Sequence, residues 1–245
     1  MSGRTDWGDP RGPARSESGR GSVARWMARE LSGTAMAGLV LYATSGRWDW
    51  TMGWLLVGVY AATFAAQAII LIPRSPGLLA ERSERIRRGT KSWDETLLPL
   101  YGVSTLAAHV VAGLNERFGW GPRVTSWLQY SGLALAVLGN GLVTWAMAVN
   151  AFFAFSVRIQ AERGQSVVTG GPYAAIRHPG YAGAILFALG TALLLGSVWS
   201  LVPAALAALL LVARTALEDR TFWSELDGYS GYARRTRSRL VPGIW

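Results

Sequence analysis

The chain has 245 residues, of which 51% are hydrophobic and 16% are charged, and its net charge is +9. A soluble domain of this size usually carries about a quarter of charged residues, so the composition excludes an ordinary soluble domain. There is no cysteine, which excludes disulfides, thiol catalysis and cysteine metal sites.

The first thirty residues are rich in Arg, Gly and Ser and lack the early apolar core of a signal peptide. Residues 1–30 are therefore predicted to form a disordered basic tail on the cytoplasmic side. Four apolar stretches follow, at about 31–45, 52–72, 97–114 and 126–150. Because about 20 apolar residues cross a bilayer core, they predict four membrane helices, of which the first is the weakest. Residues 31–150 are thus predicted to be an N-terminal transmembrane region.

Two smaller features belong to these predicted spans and to the loop after the second one. The segment Gly77–Arg88 mixes leucine and isoleucine with charges, which predicts a short helix lying on the membrane surface. Gly139-Asn140-Gly141 has no preceding strand, so it predicts close helix packing and not a dinucleotide loop. His109, alone in the third span, is expected to be a packed and hydrogen-bonded histidine.

Basic residues alternate along the connecting segments. Of the 24 Lys and Arg residues, 21 lie in 1–30, 73–96, 156–180 and 214–245. The positive-inside rule therefore places both termini and these segments in the cytoplasm. This alternation explains the net charge, so the lipid bilayer, and no nucleic acid, is the expected partner of the basic surface.

The apolar stretch 181–213 is too long for one span and short for two. Gly, Ser and Pro at 196–203 predict a turn in its middle, which gives a helical hairpin with arms of about 24 Å. Such a hairpin returns Arg214 and Glu218 to the side on which His178 begins it. The expected fold is all-α and polytopic: four simple spans plus a C-terminal apolar hairpin, or five to six membrane helices.

The polar residues at the mouth of this hairpin have two interpretations. Taken singly, they suit an interfacial belt before a proline-initiated helix, and Arg214 and Glu218 suit an ordinary i,i+4 pair. Taken together, they suit a charged cofactor next to an apolar substrate, because ionisable groups at membrane depth are costly and tend to mark function. A metal site formed by His178, Glu218 and Asp219 is not expected, because the spacing is not that of metal ligands.

Four short motifs carry a family resemblance. They are G-P-Y-A-A-I-R-H-P-G-Y-A-G at 171–183, R-T-A-L-E-D at 214–219, Y-S-G-Y at 229–232 and R-L-V-P-G-I-W at 239–245. In this order they resemble the C-terminal signature of the isoprenylcysteine carboxyl methyltransferase family, which is related to the membrane phospholipid methyltransferases. The resemblance covers about residues 150–245. It implies an integral-membrane methyltransferase with residues 151–245 as the cofactor-binding catalytic region and a cytoplasmic active site.

The same resemblance implies a set of site residues for S-adenosylmethionine. They are Gln160, Gln165, Ser166, Val167, Val168, Tyr173, His178, Pro179, Gly180, Tyr181 and Glu218. Arg214 is implied to bind the substrate and, with Glu218, to be catalytic. The chain departs from the family pattern at Glu218-Asp219, where paired glutamates are common, and at Gln165, where another residue type is usual.

The implied acceptor is a lipophilic small molecule, a lipid or a prenylated substrate, most simply a carboxylate of the isoprenylcysteine type. Methyl transfer to a carboxylate needs positioning but no general base. An amine acceptor, as in a phospholipid N-methyltransferase, would need a base, for which Glu218 or His178 is the candidate. Two other classes remain: an NADPH-dependent membrane reductase of the sterol or enone type, which has a similar Arg-His stretch, and a non-catalytic membrane scaffold.

Overall fold

A computed structural model describes residues 13–83, 88–122 and 124–245, with side chains from residue 20 onward. Within these ranges the regular structure is helical, as the sequence predicts. The helices are α1 (Pro13–Ser45), α2 (Thr51–Arg74), α3 (Pro76–Arg82), α4 (Ser92–Phe118), α5 (Ser126–Val149), α6 (Pro179–Leu194), α7 (Leu201–Glu225) and α8 (Tyr229–Arg235). Short 3₁₀ turns form at Ala161–Arg163 and Gly171–Ala174.

In the described part of the chain, four helices, α2, α4, α5 and α7, are long and apolar enough to cross a membrane, and α6 is a shorter apolar helix. A polytopic all-α membrane protein is therefore confirmed. The weak span predicted at 31–45 lies inside α1, which is not among these four. Its residues Leu41 and Tyr42 are nevertheless buried, against Trp50, Leu56 and the α6 end.

The prediction of a disordered tail is wrong for the part of 1–30 that the structure describes, because α1 begins at Pro13. Trp26 is completely buried in a cluster with Leu71, Leu78 and Met147. Burying an indole of this size stabilises the segment enough to offset the Arg, Gly and Ser composition. Residues 1–12 lie outside the described residues.

The surface helix predicted over Gly77–Arg88 is shorter than expected, since α3 ends at Arg82. Its Leu78 and Leu79 are buried in the same cluster as Trp26 and do not face the membrane surface. Tertiary packing against α1 and α2, and not an amphipathic contact with lipid headgroups, therefore holds α3 in place.

The predicted hairpin is confirmed: α6 and α7 are joined by a turn at residues 195–200. Pro179 is at the first turn of α6, with His178 as its N-cap residue. At the other end, Trp199 lies beside Gly121 of the α4–α5 connection, where an added Cβ would be 3.1 Å from the indole. The hairpin therefore runs through the bundle to the opposite end and returns Arg214 and Glu218 towards His178.

Glycines hold α6 tightly against α5. A methyl group on Gly139 would lie 2.5 Å from the carbonyl oxygen of Gly183, and one on Gly190 would lie 2.8 Å from that of Gly132. The two backbones are therefore in contact. Such close packing at small residues is expected between membrane helices, because the hydrophobic effect does not drive their association within lipid. The packing predicted for the Gly139 segment is confirmed, and it places the start of α6 against α5.

A leucine at Gly139 is expected to lower the apparent melting temperature by about 5–10 °C, because overpacking of a close contact costs about 1–3 kcal/mol. Gly141 has no atom within 4 Å of an added Cβ, so Gly141→Leu is the matched control. Thermal unfolding in detergent, followed through the fluorescence of the 12 tryptophans, measures both variants. Equal melting temperatures for the two variants would show that the α5–α6 contact is not tight.

Candidate functional site

A cavity of about 230 Å³ lies where α4 to α7 meet the connection between α5 and α6. Its wall includes every residue that the family resemblance implied for the site. These are Gln160, Gln165, Ser166, Val167, Val168, Tyr173, His178, Pro179, Gly180, Tyr181, Arg214 and Glu218. Residues that are up to 58 positions apart in sequence are thus brought to one volume. His109 is elsewhere, buried in α4 with its ring nitrogens near Tyr60 and Thr105.

Three of the four motifs supply residues to the cavity wall, and the fourth, at 239–245, is bonded to the first. The backbone N–H groups of Arg177 and His178 donate to the carbonyl oxygens of Ser238 and Arg239, at 3.0 and 2.9 Å. The Tyr232 hydroxyl donates to the carbonyl of Tyr173 at 2.7 Å. The tail of the chain therefore holds the N-terminal end of α6 in position.

Asp219 is the centre of a buried polar network behind the cavity. Arg177 donates to its carboxylate with Nε and Nη2 at 2.8 and 3.0 Å, and the Tyr229 hydroxyl donates at 2.7 Å. Arg239 Nε donates at 3.0 Å, and His178 Nε2 lies 3.3 Å away. With its oxygens occupied in this way, Asp219 joins α6, α7, α8 and the C-terminal segment and does not line the cavity.

Glu218, the neighbouring acid, faces the cavity itself. Its carboxylate lies 3.9 Å from His178 Nδ1 and interacts with the Tyr181 hydroxyl. The His178 ring thus lies between the two acids, with Nε2 towards Asp219 and Nδ1 towards Glu218. The adjacent positions 218 and 219 thus serve different purposes, the first towards the cavity and the second towards the fold.

Arg214 lines the cavity but does not form the i,i+4 ion pair with Glu218 that the sequence allowed. Its Nε and Nη2 donate to the fully buried Asp94 at 2.6 and 3.0 Å, and Nη2 also donates to the carbonyl of Phe155 at 2.6 Å. The guanidinium also lies over the Tyr181 ring, 5.2 Å from its centroid. Bidentate pairing of this kind is stronger and more directional than a helical pair at the surface. Nη1 donates no hydrogen bond to a described residue, so it is the part of Arg214 left for a ligand.

The connection after α5 is folded by its own polar side chains. Gln160 is buried and donates from Nε2 to the carbonyl of Phe152 at 2.8 Å, while Gln165 accepts the Gln160 N–H with Oε1 at 2.7 Å. Asn150 donates to the Tyr173 hydroxyl at 3.1 Å. The side-chain oxygen of Gln165 therefore shapes the loop, whatever contact its segment makes with a ligand.

Two tyrosines that outline the polar end of the cavity remain protonated. Burial raises the pKa of Tyr173, and burial together with the Asp219 carboxylate raises the pKa of Tyr229. Both hydroxyls are thus hydrogen-bonding groups and not nucleophiles near neutral pH.

Several residues of the site had no signal in the sequence. Asp94 is 120 positions from Arg214, and Asn150 closes the fourth predicted span without a motif. Arg82 belongs to the basic segment 73–96, whose charge was explained by membrane topology, yet its side chain lines the cavity. The one available hint for Asp94 was its place in the acidic pair Asp94-Glu95 at the start of an apolar span, since a charge there needs a partner.

The comparisons with known proteins agree with this geometry. Residues 132–224 match the model of the isoprenylcysteine carboxyl methyltransferase (ICMT) family. Two curated proteins, from the indica and japonica subspecies of Oryza sativa, are described as probable protein-S-isoprenylcysteine O-methyltransferases. Each is 28% identical over 116 residues, which is 46% of this chain and 61% of the relative, so the match spans about three fifths of their length.

A solved structure has a similar fold. It is the eukaryotic intramembrane Ras methyltransferase ICMT, which aligns with a TM-score of 0.52 over 93% of this chain and 98% of that chain. Its sequence identity is 15%, so the likeness is one of fold. Together, the family match and the curated relatives confirm the resemblance inferred from the four motifs.

Proposed function

We propose that this chain, whose residues 132–224 match the isoprenylcysteine carboxyl methyltransferase family, methylates a lipophilic acceptor at the membrane with S-adenosylmethionine as the donor. One observation carries the proposal: all the residues implied for the site line a single cavity between the membrane helices and the polar C-terminal segment. A non-catalytic scaffold would have no need for this convergence.

The residues of the cavity suit S-adenosylmethionine. Glu218 offers a carboxylate to hydroxyl or amino groups, and the His178 ring lies beside it. Tyr181 lines the cavity with its hydroxyl beside the Glu218 carboxylate. Gly180 has no side chain at a point where a Cβ would meet the Phe153 ring, which keeps the two walls close. The segment Gln165–Val168 also lines the cavity.

When bound, the donor supplies a methyl group whose bond to sulfur breaks as a bond to the acceptor oxygen forms, with the electron pair left on sulfur. A carboxylate acceptor transfers no proton, so the chain has to position two groups and exclude water. Arg214, fixed by Asp94, offers Nη1 to that carboxylate. Opposite charges are consumed as the ester forms, which a site of low polarity favours over water.

The acceptor is expected to be a carboxylate with a long apolar group, of the isoprenylcysteine type. The cavity continues between Leu98 of α4, Val143 of α5 and Leu211 of α7, where an apolar chain can be buried. The alternation of basic residues supports a cytoplasmic side for both chain termini and the polar mouth of the cavity. The bilayer would then deliver the apolar part of the acceptor and the cytoplasm the donor.

Transfer of a labelled methyl group tests this function. The purified full-length chain in mixed micelles is incubated with methyl-labelled S-adenosylmethionine and a native membrane extract, and the labelled product is identified. We expect the label in a base-labile methyl ester of a lipophilic acid. Label in a base-stable methylamine of a phospholipid would instead identify a phospholipid N-methyltransferase, with Glu218 or His178 as base.

A further inference from the structure

Four arginines line the cavity among the described residues, and three of them form ion pairs. Arg214 pairs with Asp94, Arg177 with Asp219, and Arg158 with Glu81 and Glu162. The fourth, Arg82 of α3, forms an ion pair with none of the described carboxylates. Arg82 is therefore the one cavity-lining arginine, among the described residues, without a carboxylate partner.

Arg82 is held in place by contacts that leave its N–H groups unused. Its guanidinium lies 5.5 Å from the ring centroid of Phe153 and 5.6 Å from that of Phe155. Its Nε is buried and has no hydrogen-bond partner among the described residues. The carbonyl of Arg82 accepts a hydrogen bond from the Arg29 guanidinium, and α3 is tied to the loop above the cavity through Glu81 and Arg158.

A buried, charged donor without an acceptor is costly, and such groups are uncommon unless a ligand completes them. Burial lowers the pKa of Arg82 to about 10, which leaves it charged at neutral pH. Phe155, one of its two ring partners, also gives its carbonyl to Arg214. Arg82 and the free Nη1 of Arg214 thus belong to the same part of the cavity wall.

We propose that Arg82 binds the carboxylate of the methyl acceptor, as the second cation beside Arg214. This inference rests on the proposed function, and it adds a residue that distinguishes the substrate from the product. Arg82 attracts the anionic acid and not the neutral methyl ester, so the ester leaves once it forms. A charge-assisted pair of this kind contributes about a tenfold to hundredfold preference.

Direct binding in the absence of donor tests it. The dissociation constants of an S-farnesylcysteine derivative and of its methyl ester are measured with the wild-type chain, Arg82→Gln, Arg82→Lys and Arg74→Gln, in neutral micelles. We expect the wild type to prefer the acid, Arg82→Gln to lose at least tenfold of that preference, and Arg82→Lys to regain part of it. Arg74 is exposed at the end of α2 and does not line the cavity, so its variant should match the wild type.

Three outcomes separate the explanations. An equal loss of acid and ester by Arg82→Gln would mean that Arg82 only supports the fold, and would overturn the inference. The preference for the acid over the ester could depend on Arg82 only after phosphatidylglycerol is added to the micelles. That result would assign Arg82 to a lipid phosphate and would also overturn the inference. The wild type could transfer methyl groups while Arg82→Gln leaves the ratio of the acid and ester dissociation constants unchanged. That result would refute the inference while the proposed function stands.

Discussion

Replacing Asp219 by alanine is expected to lower the free energy of unfolding by about 3–5 kcal/mol, because the change leaves buried cations without their counter-ion. Asp219 is 4% exposed and accepts hydrogen bonds from Arg177, Arg239 and Tyr229. Without it, the Arg177 guanidinium keeps only carbonyl acceptors in the C-terminal segment. The connection between α6, α7 and the tail should therefore loosen before the membrane helices separate.

Glu225 provides the matched control for this change. It lies on the same helix and forms an ion pair with Lys91 at 2.7 Å, but it is 44% exposed. Because exposed pairs contribute about 0–1 kcal/mol, Glu225→Ala should melt close to the wild type. Thermal unfolding by tryptophan fluorescence compares the two variants in one detergent. If both lowered the melting temperature equally, the buried network around Asp219 would not be a main source of stability.

Replacing Glu218 by glutamine is expected to weaken donor binding and catalysis but to leave the stability of the fold unchanged. We expect the affinity for S-adenosylmethionine and kcat/KM to fall by about tenfold to hundredfold, since a charged hydrogen bond contributes about 1.5–3 kcal/mol. The melting temperature of the unliganded chain should stay near that of the wild type, because Glu218 has no ion pair with a described arginine. The two adjacent acids on α7 would then have different roles, Glu218 in binding and Asp219 in stability.

Glu116 is a suitable control for the binding measurement. It lies at the far end of α4, where it pairs with Arg47, and it does not line the cavity. Glu116→Gln should retain the wild-type affinity for the donor. A Glu218→Gln variant with unchanged affinity and rate would remove Glu218 from the site, and the cofactor would have to be held by other groups of the wall.

Much of the site followed from local features of the sequence. The length of the apolar stretch 181–213, with Gly, Ser and Pro in its middle, was enough to predict a hairpin that returns Arg214 and Glu218 to His178. The motif resemblance then named residues that the structure places on one cavity wall. Both kinds of inference work because helix period, turn residues and short motifs are encoded over a few neighbouring positions.

The parts that sequence reasoning missed depend on long-range packing. The helical state of the described part of 1–30 follows from the burial of Trp26 by α2, α3 and α5, which no local pattern shows. The partner of Arg214 is Asp94, 120 positions away, in place of the nearby Glu218. Arg82 lies in a basic loop whose positive charge already had an explanation in membrane topology.

The difference between Glu218 and Asp219 is also a matter of tertiary structure. In the sequence the two acids are adjacent and chemically alike, and the resemblance left open whether Asp219 replaces a second glutamate. On α7 they project about 100° apart, so one meets the cavity and the other meets Arg177 and Tyr229. The shorter side chain at 219 is fully engaged in the network and offers no oxygen to the cavity.

Calorimetric titration of the purified wild-type chain with S-adenosylmethionine, and separately with NADPH, tests the central claim most directly. We predict saturable binding of S-adenosylmethionine with a stoichiometry of one per chain, weakened in Glu218→Gln and retained in Glu116→Gln, and no saturable binding of NADPH. Saturable binding of NADPH alone would contradict the account, since the cavity would then belong to a membrane reductase and not to a methyltransferase.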